Sequence, residues 1–192
     1  MITTYTDLIQ SVKAWSARTD IDSVIDDIIL LSEVRLNSDL MVQELQKNIV
    51  IQSPYILPDD FHKIISVKTS QRVLDYMTID QYERHNLILP SGSPQYYTIS
   101  NNQILCSPSQ LTDITVTYIK RIPGLSNTNP TNEILTKYPT LYLRTCLLYV
   151  AEFSHDVEKL VGYESAYAND ISKVNQTAWG NASSTLVIRN IE

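Results

Sequence analysis

The segment KYPTLYLRTCLLYVAEF, Lys137–Phe153, constrains this chain more than any other. Pro139 stands in the first turn of a helix, where its missing N–H costs nothing. At helical spacing Tyr138, Leu141, Tyr142, Thr145, Leu148, Tyr149 and Glu152 form one stripe. Leu143, Leu147 and Val150 form another on a different side. A helix that is apolar on two faces is covered on both. The fold has to supply those covers, and 192 residues with 43% hydrophobic content are enough for one globular domain with a sizeable core.

The flanking sequence supplies more helices. Tyr5, Leu8, Ile9, Val12 and Trp15 fall on one stripe, and Thr4 with Asp7 three residues on resembles a capping box. A second helix is expected to start after Thr19 or Asp20, with Ile21, Val24, Ile25, Ile28, Ile29, Ser32, Leu36 and Leu40 on its face. Asp22, Asp26 and Asp27 then occupy its first turns, where carboxylates suit the helix dipole. The two helices read as an antiparallel hairpin turning at ARTD. After SHD, a last helix over Val157–Ala178 aligns Leu160, Tyr163, Tyr167, Ile171 and Val174, with Asp156 as its N-cap.

Between the helical ends the period changes to that of strands. Short strands are predicted at Ile49–Gln52, Ile64–Lys68 and Arg72–Met77, and Thr78–Asn86 reads as a short capped helix. QYYTISNNQILCSP is a hairpin through Asn101–Asn102, residues that tolerate positive φ. DITVTYIKRIP is a further strand with Ile114, Val116, Tyr118 and Lys120 on one face. The expected class is α+β: a helical bundle made of an N-terminal hairpin and two C-terminal helices, with a small, mostly antiparallel sheet inserted. The predicted bounds are a single α+β domain over 1–179, helical at 1–48 and 130–179 and β-rich at 49–122. Gly180 is expected to stop the last helix, and 180–192 forms a C-terminal arm. In that arm TLVIRNI is β-prone with no sequence left to pair with, so the alternatives are a strand folded back on its own sheet, a frayed tail, or an arm that adds to a partner.

Composition limits the partners. The formal charge is −6 and the 15 Lys and Arg are scattered, so no basic arm is present to neutralise phosphates. Four glycines nearly exclude phosphate-cradling loops. Twelve tyrosines favour half-buried and contact positions. MITTYTDLIQ has no basic leader or apolar core of signal length, and no run reaches the ~18 apolar residues of a membrane span.

Chemistry is poorly represented. His62, His85 and His155 lie in separate segments; His62 beside Asp59 and Asp60 is the best candidate site, although LPDDF is better explained as a turn. Cys106 and Cys146 have no metal spacing and no nearby cation to make a thiolate. Asp22 and Asp26, one helical turn apart, lack the cleft that a glycosidase carboxylate pair needs. Neither a P-loop, HExxH nor GxSxG occurs. No catalytic residue, metal ligand or cofactor is expected.

The order of the pieces resembles the head-to-tail adaptor family of tailed bacteriophages, the tail accessory factor or head-completion ring of short-tailed and crAss-like phages. The resemblance is carried by Tyr5, Leu8, Trp15, Arg18, Asp20, Glu33, Arg35 and Leu36 in the opening hairpin and by LPDDF at Leu57–Phe61. It continues through Pro94, Tyr96, Tyr97 and Ile99, through VTYIKRIPGLS, and through Asn132, Leu135, Tyr138, Pro139, Leu141, Tyr142 and Leu143. The chain departs from the family pattern at Asn101–Asn102, where a Gly is usual, and at the exit from the last helix.

The resemblance implies a non-enzymatic virion protein at the neck, assembled in the bacterial host cytoplasm. It implies a dodecameric ring that docks on the portal protein after DNA packaging, extends the DNA channel, retains the genome until ejection and carries the tail. Its implied partners are the portal, neighbouring copies, a downstream tail protein and double-stranded DNA passing without specific contact; no membrane is involved. Within that picture Leu186, Val187, Ile188 and Arg189 form the portal-binding arm. Tyr142, Tyr149, Tyr163 and Tyr167 are the expected inter-subunit contacts. A virion-associated cell-wall hydrolase and a generic tail-tube adaptor stay open as alternatives.

Overall fold

A computed structural model describes residues 1–183, and its elements fall into two compact units. One is helical, comprising residues 1–44 and 122–183; the other spans Leu45–Arg121 and contains the strands. The class is α+β, as the change of period predicts.

In the helical unit α1 (Tyr5–Ser16) starts with the expected capping box: Thr4 accepts from the Asp7 amide and Asp7 accepts from the Thr4 amide. It ends at Ala17 in the left-handed region, φ 53°. From there the path differs from the prediction. Helix α2 (Ile25–Asp39) begins later, because residues 21–24 make a turn closed by the Val24 amide on the Ile21 carbonyl. Ile21 is nevertheless fully buried, so its apolar spacing reported burial rather than helix. Trp15, placed by spacing on the covered stripe, is 70% exposed.

The C-terminal part contributes a short α4 (Glu133–Lys137), then α5 (Pro139–Phe153) and α6 (Val157–Ser183). Asn132 caps α4 by accepting from the Leu135 amide at 2.8 Å. Asp156 caps α6 by accepting from the Lys159 amide. Gly180 does not stop α6, which continues to Ser183; a glycine inside a helix costs about 1 kcal/mol but breaks nothing by itself. Helix α5 packs against α1, α2 and α6. Leu141, Tyr142, Cys146, Leu147, Leu148 and Val150 are all buried, so the two-sided apolar helix of the sequence is the centre of this unit.

The second unit has six strands: β1 (Gln46–Ile51), β2 (Phe61–Lys68), β3 (Val73–Tyr76), β4 (Tyr96–Ser100), β5 (Gln103–Ser107) and β6 (Ile114–Lys120). Their order is β1-β6-β2-β3-β4-β5. Four pairings are antiparallel, and β3 with β4 is parallel, Asp75 opposite Tyr96. Parallel neighbours need a crossover, and α3 (Ile79–Ile88), with its Thr78 capping box, is that crossover. The β4–β5 hairpin turns on Asn101 and Asn102 at φ 50° and 60°, the all-positive pair of a type I′ turn. Val67, Leu74, Ile104, Ile114, Val116 and Tyr118 form the core beneath.

Ala17 is exposed and holds a backbone conformation that disfavours a Cβ. Ala17→Gly is expected to raise stability by about 1 kcal/mol, measured as a higher urea midpoint at unchanged slope.

Candidate functional site

The most constrained polar group in the helical unit is Glu33. Its position on α2 faces the core, where it is 6% exposed. One carboxylate oxygen accepts from the Tyr142 hydroxyl of α5 at 2.6 Å and from the Leu125 amide at 2.7 Å. Asn132 donates to the Tyr142 oxygen at 3.4 Å and to the Pro123 carbonyl at 2.8 Å. One turn along α2, Asn37 donates to the Glu33 carbonyl and accepts from the Ile122 amide at 2.7 Å. The segment that follows β6 is thereby fastened to α2 and α5. Gly124 fits the same junction closely: a Cβ there meets the other Glu33 oxygen at 3.3 Å. Burial lifts the Glu33 pKa, and the two donated hydrogen bonds only partly oppose it. With no cation among these partners, the cluster ties the chain down.

The four tyrosines expected at subunit contacts separate into two kinds. Tyr142 is fully buried within the chain, and Tyr167 is 2% exposed with its hydroxyl on Asp39 at 2.7 Å and the Arg35 guanidinium over its ring. Both rings are covered inside the helical unit, each with its hydroxyl on a carboxylate of α2. Tyr149 and Tyr163 are only half-buried. Tyr149 lines a recess of about 440 Å³ with Asp27, Leu31, Glu152 and Phe153. Tyr163 lines a groove of about 790 Å³ with Trp15, Leu143, Arg144, Leu147 and Lys159. The proposed arm residues Leu186, Val187, Ile188 and Arg189 lie outside the described residues.

The residues weighed for catalysis are structural or solvated. Asp60 accepts from Lys47 at 2.5 Å and from Tyr118 at 2.7 Å, joining β1 and β6 to the start of β2, and the Lys47 hydrogen bond lowers its pKa. His62 is exposed to solvent. Asp22 pairs with Lys13 at 2.6 Å, while Asp26 accepts from the Tyr5 hydroxyl at 2.5 Å. Cys106 and Cys146 are buried, and burial pushes their thiols up to about 11 and about 12. Among the described residues no group of three or more His, Cys, Asp or Glu is placed to hold a metal, and no helix is long and apolar enough to cross a membrane.

Glu33 was legible only as an acidic residue in the opening hairpin. Its partners lie 92 and 109 positions away, and no local pattern marks them.

Comparison with known proteins adds one finding. The model of the SU10 adaptor protein family matches residues 3–189. A search of the curated proteins finds no match.

Two outcomes test the Glu33 junction. Tyr142→Phe removes one donor from a buried carboxyl and is expected to cost ~1–3 kcal/mol by urea denaturation. A carboxyl whose folded pKa is raised favours the folded state while protonated, and loses that contribution as pH climbs from its ordinary value of 4.5 through the folded value. Glu33→Gln should therefore gain stability relative to wild type as pH rises above 4.5, with the difference becoming independent of pH below it; melting temperatures across pH 3–8 measure the slope.

Proposed function

The chain belongs to the SU10 adaptor protein family, and from that premise we propose that it is the ring-forming head-to-tail adaptor of a tailed phage. In this reading copies of the chain, twelve by the resemblance, dock on the portal vertex after DNA packaging. They extend the channel and offer a platform for tail proteins. The observation that carries it is the extent of the family match, residues 3–189, which takes in the helical ends, the strands and most of the C-terminal tail together. The adaptor class is structural, and the hydrogen-bonded Asp60, the exposed His62 and the buried thiols of Cys106 and Cys146 are in keeping with it.

Charge supports the proposed channel role. A net charge of −6 without a basic arm gives double-stranded DNA little to hold, so it slides rather than sticks. Docking through many copies also relaxes the demand on each contact. A portal with repeated sites multiplies weak contacts into tight retention, which suits a protein that must keep a packaged genome in and later let it go.

The C-terminal arm is proposed as the portal contact, through Leu186, Val187, Ile188 and Arg189. Deleting Ser184–Glu192 is expected to leave a folded protein, by circular dichroism, that no longer co-sediments with DNA-filled, tailless heads. Undiminished co-sedimentation of the truncated protein rules out the arm. Failure of the intact protein to bind such heads rules out the docking itself.

A further inference from the structure

Two exposed apolar surfaces of the helical unit differ in the sign of their charged rims. The recess on α2 and the end of α5 exposes Leu31 (47%) and Phe153 (45%) beside Tyr149. The charged residues lining it are Asp27 and Glu152, both carboxylates. The groove among α1, α5 and α6 exposes Trp15 beside Leu147 and Tyr163. The charged side chains lining it and its continuation past Ala17 are Arg18, Arg144 and Lys159, all cations. Each of these cations has a carboxylate partner in its own chain, Asp20, Asp170 and Asp156, but none of those carboxylates lines the groove.

The two surfaces also point apart. Leu143 lines the groove and Glu152 the recess. They are nine positions apart on one helix, which at ~100° per residue sets them on opposite faces. A molecule with an acidic-rimmed patch on one side of a central helix and a basic-rimmed groove on the other is built to meet copies of itself in one direction.

We propose that the Leu31–Tyr149–Phe153 patch of one copy seats against the Trp15–Leu147–Tyr163 groove of the next, giving head-to-tail self-association through the helical unit. The proposal rests on the ring reading above and names the surfaces that close the ring. A second copy is the occupant because the complementary charges belong to the same chain. A two-fold pairing of patch on patch instead sets Asp27 and Glu152 against their own counterparts, a repulsion that such interfaces avoid. The contact is heterologous, so each copy uses both surfaces at once, and geometry decides between a closed ring and an open filament. Tyr149 and Tyr163 then serve on opposite sides of one interface.

Cysteine cross-linking reads this polarity directly, since the natural thiols are buried and stay silent toward a short bismaleimide. The variants are Leu31→Cys, Tyr163→Cys and the two combined, treated both free at high concentration and bound to DNA-filled, tailless heads. The double variant is expected to give a ladder of dimers, trimers and larger species, and each single variant only monomer. Trp15→Cys replaces Tyr163→Cys should the latter not fold. Dimers from Leu31→Cys alone overturn the proposal in favour of a two-fold contact. Absence of a ladder in both settings overturns it outright. A ladder that appears only after removal of Ser184–Glu192 assigns the groove to that segment and overturns it as well. Head binding without a ladder leaves the portal reading standing, whereas a ladder without head binding keeps the interface and removes the docking.

Discussion

A single buried carboxylate organises the helical unit. Glu33 draws the Tyr142 hydroxyl and the Leu125 amide onto one oxygen, so α2, α5 and the segment after β6 meet at one point. Burying a carboxylate without a cation is costly, and the structure limits that cost with donated hydrogen bonds. The return is specificity: only one register of α5 against α2 presents the Tyr142 hydroxyl to that oxygen, and only one path of the loop presents the Leu125 amide. Asn132 and Asn37 complete the junction from either side. An entirely apolar junction of the same volume tolerates sliding; this one does not.

The tyrosines show the same economy. A phenol buries a large ring and needs one polar partner for its hydroxyl. Tyr5, Tyr118, Tyr142 and Tyr167 each find a carboxylate: Asp26, Asp60, Glu33 and Asp39. These pairings use carboxylates that the sequence presents only as an acidic surplus. Part of the net negative charge is thus internal wiring, and the remainder, including Asp27 and Glu152, rims the outer surfaces. An adaptor that meets several partners gains from this division, because the inner pairs hold the shape while the outer charges select what touches it.

The strand-bearing unit is held differently. Its register depends on the Asn101–Asn102 turn, on the α3 crossover and on Asp60, which accepts from Lys47 and Tyr118 while its carbonyl accepts from the Arg121 amide at 2.7 Å. The cluster at Asp60 that suggested acid–base chemistry in the sequence is therefore a tie between strands. A carboxylate kept ionised by a lysine, as this one is, is a poor proton donor at neutral pH.

Much of this was written in short-range patterns. Capping boxes at Thr4 and Thr78, Pro139 at a helix start, Asp156 before α6 and the Asn–Asn turn are each fixed by neighbours within four residues, so the chain declares them without any fold. The two-sided apolar face of α5 was equally legible. What the sequence withheld was the identity of each cover. Periodicity says that a side is apolar or that Ile21 is buried; it does not say that Ile21 sits in a turn, that Trp15 faces water, or that β3 lies parallel to β4. Only the tertiary structure decided that Tyr142 and Tyr167 face inward while Tyr149 and Tyr163 keep open surface. Their partners come from α2, more than a hundred residues away, and contacts at that separation exist only once the chain has closed.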